Sequence, residues 1–166
     1  KGIESLKTAQ VQLKTYRQAV LKWAFEGKFT NENVAEGELP KGWKWKTILE
    51  IGKVKGGKRL PPRHSYSENQ TEYLYIMAGN LKNGTVINKP TYITKETYEM
   101  LSNYKVIGDE VYITIVGACI GDAGIIPNTI GKAILTENAA KIVNLSNVYN
   151  KYLAFWLSSI ICQTQI

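Results

Sequence analysis

The sequence predicts an α+β protein: a long N-terminal amphipathic helix of coiled-coil type, followed by a mixed, β-rich globular domain. Three observations carry this. Residues 3–26 place apolar side chains at three-to-four spacing, with no proline and no internal glycine before Gly27. From Trp43 the pattern changes to short alternating runs separated by glycine turns. The last stretch, "NVYNKYLAFWLSSII", returns to helical spacing.

Ile3, Leu6, Leu13, Val20 and Ala24 line one stripe of the first helix, with Gly27 placed as its C-cap and Lys28 just beyond. At a rise of 1.5 Å per residue the helix is roughly 35 Å long. Gln10 and Arg17 fall on the seam, where polar residues fix register and partner number at a cost in stability. The stripe implies packing against another helix, joined at its end by Trp23 and Phe25. That helix belongs to a second subunit or to a missing part of this chain; an ordinary core helix of one domain fits the periodicity equally well. Residues 30–41, ending in "ELPKGW", read as a linker, so the domains are 1–29, 30–41 and 42–166.

Within the globular part, "YLYIMAG" (Tyr73–Gly79), "GTVI", "TYIT", "EVYITIVG" and "AKIV" (Ala140–Val143) are strand candidates. In the fourth, Val111, Ile113 and Ile115 face one way, and Tyr112, Thr114 and Val116 the other. "KETYEML" reads as a single short helix. "NVYNKYLAFWLSSII" closes the chain as a helix with Tyr149, Leu153, Trp156 and Ile160 on one stripe. Trp43 and Trp45 are expected to seal the core where linker meets globule.

Composition narrows the chemistry. Apolar residues make up 44% and charged residues 21%, ordinary for a soluble globular domain. The apolar runs are too short to span a bilayer and no basic-then-apolar leader is present, which points to a soluble, cytoplasmic protein. Cys119 and Cys162 lack CxxC spacing and read as buried reduced thiols. His64 is the only histidine, so a multi-histidine metal site is excluded.

Charge is unevenly spread. Residues 1–66 hold 14 Lys+Arg against 6 Glu, and the remaining hundred hold 7 against 8. The densest stretch, Lys41–Arg63, carries eight basic residues against Glu50 alone. Such a patch attracts a polyanion, usually nucleic acid, or is merely a solvated basic face; composition leaves both open.

The run "GDEVYITIVGACIGDAGII" feeds an apolar strand into Gly117, Gly121 and Gly124. It lacks the GK[ST] ending of a phosphate-binding loop, and Asp122 would repel phosphate. No NPPY-like methyltransferase tetrad, no cofactor-binding GxG and no nuclease-like Asp with Glu-x-Lys occurs. No histidine lies nearby to activate Tyr112, Thr114 or Cys119. The loop therefore reads as a structural turn, with a DNA-facing role as the lesser alternative, and no catalytic residue is assigned.

Three segments together resemble type I restriction–modification specificity subunits. "YRQAVLKWAFEGKF" (Tyr16–Phe29) is similar to that family's conserved spacer helix. "LPKGWKWKTILEIGKVKGG" (Leu39–Gly57) resembles the entry to its target recognition domain. "YKVIGDEVYITIVGACIGDAGII" followed by "TENAAKIV" resembles the domain's strand–glycine–strand signature, except that Asp122 stands where a basic or neutral residue is common. The resemblance implies one spacer helix and one recognition domain, cut short at its end, from a longer protein. Its partners would be double-stranded DNA, methyltransferase subunits and a restriction/translocase subunit, with self-association through the spacer helix. S-adenosylmethionine, ATP and Mg would belong to partner subunits, and the chain itself would not be an enzyme.

With that resemblance, "KVKGGKRLPPRHSY" (Lys53–Tyr66) is the expected DNA-contacting segment. Lys55, Lys58, Arg59 and Arg63 supply charge, and arginine can grip guanine O6/N7 bidentately. His64 and Tyr66 can donate hydrogen bonds, while the prolines limit the entropy lost on binding. Asn80 and Lys82 in "GNLKNGTV" are further candidates. Asn83 reads better as the turn residue of an Asn-Gly hairpin, and Asn138 as a turn or buried polar group. The other reading is a basic protein-interaction module that binds a helix or an acidic protein and reads no DNA.

Overall fold

A computed structural model describes residues 2–30, 34–35, 37–87 and 91–166; part of the expected linker lies outside them. The chain divides into two compact units, Lys1–Trp45 with Ser159–Gln165, and Lys46–Ser158 with Ile166.

In the first unit, helix α1 spans Gly2–Phe25. It ends as its sequence dictates: Gly27 takes a left-handed φ of 74°, Lys28 N–H reaches Trp23 O at 3.0 Å and Gly27 N–H reaches Ala24 O at 3.1 Å. This is the Schellman pattern that glycine favours. A Cβ at Gly27 would also lie 2.1 Å from Pro40 Cγ. Helix α5 (Ile160–Gln163) packs against α1, and its Ile160 N–H donates to Gln18 Oε1 at 2.9 Å. Ile3, Leu6 and Leu13 remain 74%, 67% and 66% exposed, so this part of the stripe is left uncovered by the described residues. Val20 is half-buried and Trp23 exposed against Phe29. Phe25, expected to face a partner, is buried.

The second unit starts at the single turn α2 (Ile48–Ile51), where the Glu50 carboxylate accepts from Thr47 N–H and Oγ1–H. Its strands are β1 (Lys53–Gly56), β2 (Tyr73–Ile76), β3 (Leu81–Lys82), β4 (Thr85–Val86), β5 (Thr91–Tyr92), β6 (Lys105–Val106), β7 (Val111–Thr114), β8 (Ala123–Ile125), β9 (Lys132–Leu135) and β10 (Ala139–Val143). One antiparallel sheet has the order β1-β10-β7-β8. The other runs β5-β2-β9-β6, with β2 and β9 parallel. The hairpin β3–β4 turns through Asn83 and Gly84, both at positive φ, as the Asn-Gly pair predicts.

The core lies between the sheets. Ile76, Val106, Ala133 and Leu135 from one meet Tyr112 and Ala139 from the other, with Leu81 and Ile126 beside them. Behind the second sheet, Tyr73, Tyr75 and Ile134 pack with Ile93, Tyr98 and Leu101 around helix α3 (Lys95–Met100). Val111 is as fully buried as its neighbour Tyr112. Successive strand residues point to opposite faces, so β7 must be covered on both sides. Helix α4 (Asn150–Leu157) packs against β7 and β8 and supplies the second cover.

Several expectations change here. Strand β7 stops at Thr114, and Ile115 and Val116 are exposed in the loop beyond it. The closing helix breaks at Ser158–Ser159 into α4 and α5, and Tyr149 is 85% exposed instead of packed. Trp43 and Trp45, expected in a core, are 40% and 61% exposed. Cys162 is buried, whereas Cys119 is only half-buried. Among the described residues, no helix is long and apolar enough to cross a membrane.

Candidate nucleic-acid interface

Strand register gathers several loops at one end of the second unit. Strand β1 ends at Gly56 opposite Ala140, and β7 ends at Thr114 opposite Ala139. The parallel pair β2 and β9 stop together at Ile76 and Leu135. Only Thr136–Asn138 separates β9 from β10, so the ends of the two sheets meet there. Three segments meet at that junction: residues 57–59, the loop that begins at residue 115 and the connection itself.

Residues 53–66 are not a free hairpin. Lys53–Gly56 form an edge strand whose residues are all exposed, and exposed lysines on an edge discourage pairing with another chain. Beyond it, Gly57 N–H donates to Ala139 O and Lys58 N–H to Leu135 O, both at 2.9 Å. A Cβ at Gly57 would sit 2.0 Å from Thr136 O, so only glycine permits this approach. Tyr75 Oη donates to Lys58 O at 2.8 Å, and burial pushes its phenol up to about 12, so it remains a donor at neutral pH.

Arg59 is exposed but occupied: its Nε donates to Glu137 Oε1 at 2.8 Å. That hydrogen bond holds its guanidinium pKa above the ordinary value. At Glu137 burial raises the carboxyl, but the bonds from Arg59, the backbone and Thr136 outweigh it, leaving a net lowering. Thr136 Oγ1 donates to Glu137 Oε2 at 2.9 Å. Among the described residues, the exposed side chains of Lys55, Lys58 and Arg63 have no acidic partner.

The next turn is closed by His64 N–H to Pro61 O at 3.1 Å. Pro62 holds its second position near φ −65°, and Arg63 takes the third at φ 70°. This is a type II turn with arginine where glycine or asparagine is usual. His64 is half-buried, with Nδ1 2.9 Å from Thr97 Oγ1 on α3; this bond anchors the loop through one ring nitrogen and leaves the second for other use. Tyr66 is partly exposed, its ring 5.8 Å from that of Tyr75 and its hydroxyl 3.8 Å from Met77 Sδ.

Two predicted contacts fall elsewhere. Asn80 is 7% exposed; its Oδ1 accepts from Met77 N–H at 2.9 Å and its Nδ2 reaches Ile87 O at 3.4 Å. Its amide shapes the backbone and is not presented. Lys82 is exposed on the β3–β4 hairpin, which joins the β8 edge through Ile125 N–H to Gly84 O at 3.0 Å. In the strand order that is the edge opposite β1, so Lys82 stands apart from the other cations.

The glycine loop has the left-handed backbone that a structural turn requires. Gly117 and Gly121 adopt φ 102° and 88°, and a Cβ at Gly124 would lie 2.2 Å from the Gly84 carbonyl carbon. Sequence reading missed Glu137 and Tyr75, which organise the basic segment, because neither carries a motif. The hydrogen-bonded pair Arg59–Glu137 spans 78 residues, which no local pattern reports. Among the described residues no cluster could hold a metal ion.

Comparison with solved structures gives this architecture a counterpart. The HsdS subunit from Thermoanaerobacter tengcongensis superposes with a TM-score of 0.55 over 95% of this chain and 38% of its own, at 13% identity. The chain shares the fold of HsdS subunits. A second solved chain, from work on complex assembly and conformational transition of the type I R-M system, gives the same score and identity over 98% of this chain and 40% of its own. This chain therefore spans about two-fifths of the HsdS-like chains it resembles. No protein-family model matches the sequence, and no curated protein does. In this chain the shared fold is a long helix followed by a mixed, β-rich domain.

Proposed function

We propose that this chain is a DNA-recognition module of a type I restriction–modification system: it reads one half of a bipartite double-stranded site and performs no reaction itself. The observation that carries the reading is that Lys58 and Arg59 stand at the junction of two sheets in one continuous segment with Lys55 and Arg63, and that Lys55, Lys58 and Arg63 are exposed and without acidic partners among the described residues. Lysines there hold phosphates and set orientation, while arginine, Tyr66 and the second nitrogen of His64 can meet base edges. The HsdS-like fold supports the same conclusion.

The bare stripe of Ile3, Leu6 and Leu13 suits a partner helix, whether from methyltransferase subunits, a second spacer helix or a second copy. S-adenosylmethionine, ATP and magnesium belong, in this reading, to the methyltransferase and restriction/translocase subunits. Titrating the chain with random duplexes across a salt series tests it: log K falls linearly with log salt, by about 0.9 per phosphate neutralised. Arg59→Ala or Arg63→Ala lowers affinity about ten- to a hundredfold on a duplex selected for tight binding. No binding at low salt would leave only the protein-interaction reading.

A further inference from the structure

The glycine loop that supplies no chemistry ends in an unusual surface. Ile115, Val116 and Ile120 are 46%, 52% and 52% exposed, three branched apolar side chains on one short turn. Ile120 N–H donates to Gly117 O at 3.2 Å, Gly121 N–H to Thr114 O at 3.0 Å and Asp122 N–H to Cys119 O at 3.0 Å. The turn is thus braced from within. Branched side chains are stiff at χ1, so little rotamer entropy is lost when they are covered.

The start of the turn adjoins the cationic segment. Ile115 N–H and Val116 N–H both donate to Asn138 O, at 2.9 and 3.2 Å, while Gly57 N–H donates to Ala139 O. Strand β10 alone separates β1 from β7, which sets the two loops about 10 Å apart, within the width of a major groove. Asp122, at the base of the turn, disfavours a phosphate there but not a base edge. In the major groove the apolar feature of a base edge is the thymine 5-methyl group.

Resting on the DNA-recognition reading above, we infer that Ile115, Val116 and Ile120 form a thymine-reading surface, packing on 5-methyl groups while the neighbouring cations hold the backbone. A methyl group covered in this way is worth about fourfold in affinity.

The test is a selection from a random duplex library, using the full chain and Ile120→Ser, with stability of both checked by thermal melting. The parent enriches a motif containing thymine, and replacing thymine by uracil at one position of that motif lowers its affinity about fourfold. Ile120→Ser or Val116→Ser, melting like the parent, loses this sensitivity while retaining its salt dependence. A parent indifferent to uracil throughout the motif overturns the inference and leaves the DNA reading intact, as does a variant that keeps the sensitivity. Weaker binding by the variant without any uracil effect, the signature of a wedge between base steps, also overturns it. If neither protein binds any duplex, the DNA reading itself has failed and the inference falls with it.

Discussion

Arg63→Gly should stabilise the protein and weaken DNA binding, two effects of opposite benefit from one side chain. Arg63 holds φ 70° because Pro62 precedes it in a closed turn. An L side chain in that region costs about 1–2 kcal/mol. Glycine removes the cost but frees the unfolded chain, which returns about 0.4–1 kcal/mol. The net gain is about 0.5–1 kcal/mol, a rise in Tm of about 1–4 °C for a chain of this size. Left-handed arginine with no acidic partner among the described residues fits a site where backbone strain is tolerated for function. Thermal melting and duplex titration are run on Arg63→Gly and on Arg63→Asn, which also tolerates the left-handed region. Both variants should melt at or above the parent while binding about tenfold or more weakly at low salt. A lower Tm for both refutes the strain argument. Unchanged duplex affinity for both removes Arg63 from the interface.

Four further outcomes follow from particular contacts. Gly57→Ala forces its methyl into the Thr136 carbonyl and should cost about 1–3 kcal/mol, seen as a lower denaturation midpoint with reduced duplex affinity. Lys141 is buried, with Nζ donating to Glu110 at 2.7 and 2.8 Å and to Lys105 O at 2.6 Å. Lys141→Met strands the Glu110 charge and should cost about 3–5 kcal/mol, with part of it recovered in Lys141→Met/Glu110→Leu. Thr114 is fully buried and its Oγ1 has no hydrogen-bond partner among the described residues; Thr114→Val should raise Tm by a few degrees, and a fall would reveal a hidden partner. Glu137→Gln removes a carboxylate beside Arg59 and should tighten duplex binding at low salt. Because the folded Glu137 carboxyl is lowered, its stabilisation is present above the unfolded value and lost as pH falls through the folded one. The variant should lack that part of the acid sensitivity in melting curves.

What could be read in advance followed from local rules. The helix ending at Gly27, the Asn83–Gly84 hairpin, the strand at Tyr73–Ile76 and the short helix at Lys95–Met100 each declare themselves within a few residues. Strand β1 was hidden because an edge strand needs no alternation: all four residues are exposed and only its pairing with β10 defines it. Strand β9 was hidden for the converse reason. After Lys132 it is buried at every position from Ala133 to Leu135, and such a run has no period. The basic segment was legible as charge, but not the pairing of Arg59 with Glu137 or the anchoring of His64 by Thr97. Asn80 looked like a base reader by residue type, and only the turn at Met77–Ile87 shows its amide already committed.

The same bonds also separate what folds the protein from what it would recognise. The loops at the sheet junction are held by main-chain bonds, Gly57 to Ala139, Lys58 to Leu135 and Ile115 to Asn138. None of those bonds depends on the side chain of Lys58, Arg63, Val116 or Ile120. The core beneath them rests on Ile76, Tyr112, Leu135 and Ala139, none of them exposed. Surface residues held in this way can change with little effect on stability, usually within about 0.5 kcal/mol. A scaffold built so can exchange one set of recognised bases for another by substitution at a few exposed positions. Substitution at Gly57 or Gly124, where backbone meets backbone, should be refused even though neither would touch DNA.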